Sequence, residues 1–190
     1  HEMYVDLVVF GTGCMFIEMD NDTLRFSTRH ISEFYVQENQ FGIVDTVFRK
    51  YKSPARQVVQ RFGLDNVTPY ISKQFEKKPD EEVDILHVVL PRINRDPQKR
   101  DNKNMPFASF YIDMETKSLL SESGFEDMPY VVPRFLKSTG ETMGRSPAMV
   151  ALPDVKMLNL MSKTIIQAAQ KQIDPPLLVP DDGFILPVRT

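Results

Sequence analysis

The run from Pro153 to Ile173 repeats its apolar side chains at helical spacing for about six turns, the clearest periodicity in the 190-residue chain. Leu158, Met161, Ile165, Ala168 and Ala169 share one face, while Lys156, Asn159, Lys163, Gln167 and Gln170 line another. Asp154 near the start and Lys171 near the end suit the helix dipole, which favours negative charge in the first turn and positive charge in the last. Asp174-Pro175-Pro176 ends the run, because proline lacks the N–H of the backbone ladder and disfavours helix in the residue before it. The fold must therefore accommodate one long rod. Beyond it, Leu177 to Pro180 and Phe184 to Val188 read as extended pieces around an Asp181-Asp182-Gly183 turn.

Upstream the period is mostly that of strands. Tyr4 to Phe10 fits either a helical turn or a strand, and Gly11-Thr12-Gly13 breaks it before the strand-like run Cys14 to Met19. Asn21-Asp22 marks a turn, Leu24-Arg25-Phe26 alternates, and Asn39-Gln40-Phe41-Gly42 separates Phe34-Tyr35-Val36 from Ile43 to Tyr51. Residues 13–52 are thus expected to form an antiparallel meander. Ser53-Pro54 predicts a helix start, with serine as N-cap and proline at the first helical position. Val58, Val59 and Phe62 give that helix an apolar side, and Gly63 its stop. A second helical piece is expected over Asp65 to Lys77, ended by Pro79 and Asp80-Glu81-Glu82.

From Val83 the strand period returns. Val83 to Leu90, Pro106 to Ile112, Leu119-Leu120 and Tyr130 to Leu136 make an expected four-stranded unit. Between the first two lies Pro91 to Asn104, a polar excursion carrying Arg92, Arg95, Lys99, Arg100 and Lys103 against Asp96 and Asp101. Its low hydrophobicity predicts an exposed loop. Strands and helices succeeding one another in blocks place the chain in the α+β class.

Composition narrows the function. With 42% hydrophobic and 26% charged residues, the chain can bury a core and is far from the disordered range. Its formal net charge of -3 lacks the basic surplus of a protein that grips nucleic acid tightly, so any DNA contact must be local or weak. Cys14 is the only cysteine, which excludes an intrachain disulfide and favours a cytosolic setting. No window approaches eighteen consecutive apolar residues, so no membrane association is expected. Both ends read as cuts, the first running directly into Tyr4 to Phe10 and the last stopping at Val188-Arg189-Thr190, so a fragment of a longer chain is expected.

Catalytic signals are weak. His87 lies in an apolar run, and Asp84, three residues earlier on a strand, faces the other side; a structural histidine is expected. One cysteine and the separated His30 and His87 offer no metal-ligand spacing. The loop Ser138-Thr139-Gly140-Glu141-Thr142-Met143-Gly144-Arg145-Ser146 sits where a phosphate-cradling loop belongs, but has three residues between its glycines and Arg145 where a P-loop has lysine. Gly11-Thr12-Gly13 lacks the third glycine of a dinucleotide loop. No enzyme activity, cofactor or metal is therefore expected.

One long ordered series carries a family resemblance. Pro129-Tyr130-Val131-Val132-Pro133-Arg134-Phe135 through Gly144-Arg145-Ser146-Pro147-Ala148-Met149, Ala151-Leu152-Pro153-Asp154, Leu158-Asn159, Ala168-Ala169-Gln170-Lys171 and Asp174-Pro175-Pro176-Leu177 resembles the head-to-tail connecting, or portal, proteins of short-tailed phages. It extends upstream through Leu86-His87-Val88-Val89-Leu90-Pro91-Arg92 and, less closely, Phe41 to Arg49. Family members often have tyrosine before the Gly-Arg-Ser-Pro run, where this chain has Met143.

The resemblance implies a portal-like α+β fold of antiparallel wing strands and two stem helices with an inserted α/β clip. On that pattern residues 3–52 are wing, 53–78 the first stem helix region, 79–143 clip, 144–174 the second stem helix, and 175–190 the start of a tunnel or wing return segment. It also implies a structural, non-enzymatic ring subunit, usually in twelve copies, that conducts double-stranded DNA non-specifically at the capsid vertex. Its partners would be further copies of itself, a terminase packaging motor and tail or adaptor proteins; its location would be the virion, with host cytoplasm during assembly. Lys156, Asn159, Lys163, Gln167 and Gln170 would then line the channel, or face solvent or a neighbouring subunit. Arg92, Arg95, Lys99, Arg100 and Lys103 would meet DNA or the motor, or form a solvated loop. The alternative is a phage adaptor or scaffold-type interaction protein without a channel.

Overall fold

The computed structural model describes residues 1–20, 23–96, 98–99 and 101–175. Along the chain the elements are α1 (Glu2–Phe10), β1 (Met15–Asp20), β2 (Thr23–Thr28), a 3₁₀ turn (Ile31–Glu33), β3 (Phe34–Glu38) and β4 (Val44–Pro54). There follow α2 (Ala55–Phe62), α3 (Pro69–Lys77), β5 (Glu82–Pro91), β6 (Phe107–Asp113), β7 (Ser118–Phe125), β8 (Tyr130–Val131) and α4 (Pro147–Ile173). The strands form a three-stranded sheet of order β2-β1-β8 and a five-stranded sheet of order β3-β4-β5-β6-β7. Every pairing is antiparallel, so the α+β reading holds. The chain divides into two compact units, His1–Met149 and Val150–Thr190. The extended pieces expected over 177–188, and nearly all of the 175–190 segment, lie outside the described residues.

Three local readings need correction. The expected meander over 13–52 splits: β1 and β2 make one hairpin, while β3 and β4 belong to the other sheet. Tyr130 to Leu136 does not join β5, β6 and β7; β8 pairs with β1 through Met15–Val131 and Phe16–Tyr130. The helix at Ser53-Pro54 starts later than predicted, because β4 pairs with β5 as far as Ser53–Val83 and Pro54–Glu82. Proline costs nothing there, since the next two N–H groups, of Ala55 and Arg56, donate to the carbonyls of Glu81 and Pro79.

One face of the five-stranded sheet carries the core in two halves. At one end Ala55 and Val58 of α2 and Ile71 of α3 pack on Val83, Ile85, Tyr111 and Leu120. At the other, Cys14, just before β1, and Phe16 and Tyr130 of the smaller sheet pack on Phe34, Val47 and Val89. Each fully buried aliphatic side chain stabilises the fold by roughly 1.5–3 kcal/mol. Between the halves runs the cross-strand row Arg49, His87 and Tyr111. The sheet thus holds a polar seam through its apolar interior.

Candidate functional site

His87 occupies the centre of this seam. Its ring stacks on Tyr111 with centroids 4.1 Å apart, its Nδ1 is 2.7 Å from the Tyr130 hydroxyl, and its Nε2 is 2.9 Å from the Ser109 hydroxyl. Burial holds its pKa down to about 3, and the positive charges of Arg61, Arg49 and Arg29 push the same way. The imidazole is therefore neutral at pH 7, and satisfies both hydroxyls by donating from one nitrogen and accepting at the other. Burial likewise raises the pKa of Tyr111 to about 12, so its phenol also stays protonated. A serine, a histidine and an orienting hydroxyl in a row superficially match a nucleophile, base and orienter. Ser109 is fully buried, however, so no substrate atom reaches its hydroxyl. The arrangement is a core hydrogen-bond network, in line with the structural role expected of His87.

The two glycine motifs also find their use, in each other. Gly11-Thr12-Gly13 follows α1, and Gly144-Arg145-Ser146 precedes α4. The Gly144 N–H donates to the Thr12 hydroxyl at 2.7 Å, and Thr12 bridges Arg134 as Leu136 bridges Arg145. A Cβ on Gly144 would lie 2.2 Å from the Gly11 carbonyl oxygen, closer than any side chain permits. Ser146 completes the joint: its hydroxyl donates to the Val9 carbonyl at 2.7 Å and accepts the Met149 N–H at 2.9 Å, capping α4. Pro147 then occupies the first helical position. The backbone spaces that suggested phosphate are filled by backbone, so the glycines serve a clasp between the end of α1 and the start of α4.

The basic loop is divided in character. Arg92 is largely buried: its Nη1 pairs with Glu122 at 2.9 Å, its Nη2 donates to the Ser123 carbonyl, and its guanidinium lies over Phe110. Arg95, Lys99 and Lys103 are exposed, with Lys99 3.8 Å from Asp96. Arg100 lies outside the described residues. Helix α4 is 27 residues long, about 40 Å at 1.5 Å per residue, and contains Pro153. None of its residues is buried. At 100° per residue, Lys156, Asn159, Lys163, Gln167 and Gln170 fall within a sector of roughly 80°. Leu160 borders this stripe on one side and Ile166 on the other, both more than half exposed.

A family model described as bacteriophage head to tail connecting protein matches residues 1–189. The chain belongs to this family. It is similar to the "Portal protein" of Salmonella phage epsilon15, 38% identical over 184 residues that cover 94% of this chain and 33% of that protein. It is also similar to the "Probable portal protein" of Bordetella phage BPP-1, 32% identical over 185 residues, or 95% of this chain and 33% of the relative. The chain thus spans about one third of the length of these curated relatives.

Among the described residues, no group of three or more His, Cys, Asp or Glu side chains could hold a metal ion, and no helix is long and apolar enough to cross a membrane. The stripe residues share one helix face, whereas Arg92 is separated in role from Arg95, Lys99 and Lys103 by its ion pair. Sequence reasoning missed the clasp residues Thr12, Gly144 and Ser146. A signal for one of them existed: Ser146-Pro147 is an N-cap followed by proline, and it starts α4 six residues before Pro153. The pairing of Thr12 with Gly144 spans 132 residues and had no local signature.

Proposed function

We propose that this chain is part of the ring subunit of a phage portal, in which identical copies enclose the DNA channel at the capsid vertex and dock the packaging motor and the tail. The observation that carries the reading is the surface of α4. Exposed apolar side chains of α4 such as Leu160 and Ile166 reach both borders of a narrow polar stripe, and such a surface is best stabilised in water when neighbours cover it. Copies arranged about an axis cover both flanks and leave the stripe facing the lumen. Two lysines separated by neutral amides suit that position, because each neutralised phosphate adds to salt-dependent affinity and a ring, of twelve copies in this family's pattern, multiplies it. A densely basic stripe would brake the moving duplex; a sparse one lets it slide.

Within this reading α4 supplies the channel helix, and Arg95, Lys99 and Lys103 lie on a loop open to DNA or motor. The subunit acts as a structural component of the virion and catalyses nothing itself. Charge reversal tests it: Lys156→Glu with Lys163→Glu in the full-length subunit should leave ring assembly intact and reduce DNA packaging. Packaging at the wild-type rate in assembled rings contradicts the stripe as channel lining.

A further inference from the structure

Three guanidinium groups meet at one recess of the His1–Met149 unit that the reading above leaves unused. Arg29 follows β2, Arg49 lies on the core face of β4, and Arg61 stands near the end of α2. With Tyr51, Lys52 and Ser53 they line a cavity of about 300 Å³ at the open end of the polar seam.

The local charges do not cancel. Glu33 neutralises Arg49, its Oε2 lying 3.0 Å from Nε and 2.9 Å from Nη2, and Arg49 also covers the Tyr51 ring at 4.1 Å. Arg61 reaches Glu18 at 3.5 Å and donates to the Tyr111 hydroxyl at 2.9 Å. Lys52 has Glu82 at 3.5 Å. Arg29 is left over. Its guanidinium lies over the Phe16 ring at 5.7 Å, it pairs with no carboxylate among the described residues, and its Nε is buried without an acceptor. Burial is the first cause that disfavours its charge and the nearby Arg49 the second. Glu33 and Glu18 favour its charge only from a distance, after burial and Arg49, and a guanidinium does not shed its proton in a protein, so the cost persists as a partly offset charge and an unmade hydrogen bond.

We propose that this recess binds an oxyanion of the phosphate class, with Arg29 as the deciding donor and Arg49 and Arg61 flanking it. Guanidinium forks match the paired oxygens of such an anion better than any other side chain. Donors arriving from three separate elements suit a tetrahedral group more than a planar one, and the volume admits it with accompanying water. One negative charge or more in the recess would offset the charge of Arg29, whose side chain lines it. The phosphate could be a free ion or a group of the nucleic acid backbone, and the chemistry is the same.

The test is a thermal-shift titration of the chain with sodium phosphate, against sodium chloride at matched ionic strength. Phosphate should raise the melting temperature saturably and chloride should not. Arg29→Gln should weaken the phosphate response at least tenfold, while Lys77→Gln at the exposed end of α3 should leave it unchanged. Should Arg29→Gln fold poorly, the Arg29 Nε–H resonance of the wild-type chain, followed by NMR, should move saturably with phosphate. Equal responses to phosphate and chloride, an unaltered response in folded Arg29→Gln, or an unmoved Nε–H signal overturns the proposal. A short duplex that reproduces the shift at equal phosphate concentration assigns the site to backbone phosphate; a duplex without effect, beside a positive phosphate response, assigns it to the free ion.

Discussion

Replacing Gly144 by alanine adds a single methyl group, yet the clasp geometry makes it a severe perturbation. The new Cβ would stand 2.2 Å from the Gly11 carbonyl oxygen and 3.0 Å from the Arg134 Cβ. An ordinary carbon–oxygen contact needs about 3.3 Å, so the two backbone segments must part by about 1 Å. That separation stretches the 2.7 Å bond from the Gly144 N–H to Thr12 beyond any useful length. Leaving this buried donor unpaired costs about 1–3 kcal/mol. Displacing packed backbone adds about 1–3 kcal/mol more. A total near 4 kcal/mol corresponds to a fall of about 2 M in the urea midpoint, for a slope of about 2 kcal/mol/M. Urea unfolding followed by far-UV circular dichroism reads it directly. Gly140→Ala is the matched control: its φ of 83° strains an alanine, but nothing lies within 4 Å of the added Cβ. It should lose about 1–2 kcal/mol. If Gly144→Ala unfolds within about 1 kcal/mol of wild type, or no earlier than Gly140→Ala, the clasp account is refuted.

Two further perturbations address the interior. His87 titrates near 6.5 when unfolded and at about 3 when folded, so the unfolded chain binds the extra proton between those values, and stability present above pH 6.5 is lost as pH falls toward 3. In that window the wild-type unfolding free energy should drop by up to about 1.4 kcal/mol per pH unit more steeply than in His87→Gln, measured by urea unfolding at stepped pH; parallel profiles contradict a neutral buried imidazole. Asp113 is fully buried and accepts from the Thr68 and Thr116 hydroxyls at 2.8 and 2.7 Å and from the Glu115 N–H at 3.0 Å. Asp113→Ala strands the hydroxyl that caps α3 together with two further donors, and should cost roughly 3 kcal/mol in the same assay; a loss below about 1 kcal/mol would mean the donors find water instead.

Elements with a strong local period were legible in the sequence, and their neighbours were not. The β-rich run Val83 to Leu90 and the helical repeat of α4 identified both elements, because each pattern follows the period of its own backbone. The dipeptide Ser-Pro shows the limit. At Ser146-Pro147 the serine hydroxyl caps a helix, whereas at Ser53-Pro54 the strand continues to the proline because β5 offers partners for both residues. Local chemistry is the same at the two sites, and the tertiary partner decides. The same holds for Tyr130, which sits in a strand-like run but is claimed by β1 and by His87 from opposite sides. The glycine motifs were visible only as loops without a complete phosphate- or dinucleotide-binding pattern; what each approaches is another glycine segment 132 residues away, which no local pattern encodes. Arg92 reads as one of five basic loop residues until Glu122 on β7 pairs with it.

The proposed ring rests on the assignment of the α4 stripe to the inside of a closed assembly. Cryo-electron microscopy of the full-length subunit measures this most directly: the account predicts a closed ring with a central opening and with the side chains of Lys156 and Lys163 from every copy directed into it. A closed ring with both lysines on its outer wall, or particles without a central opening, would contradict it.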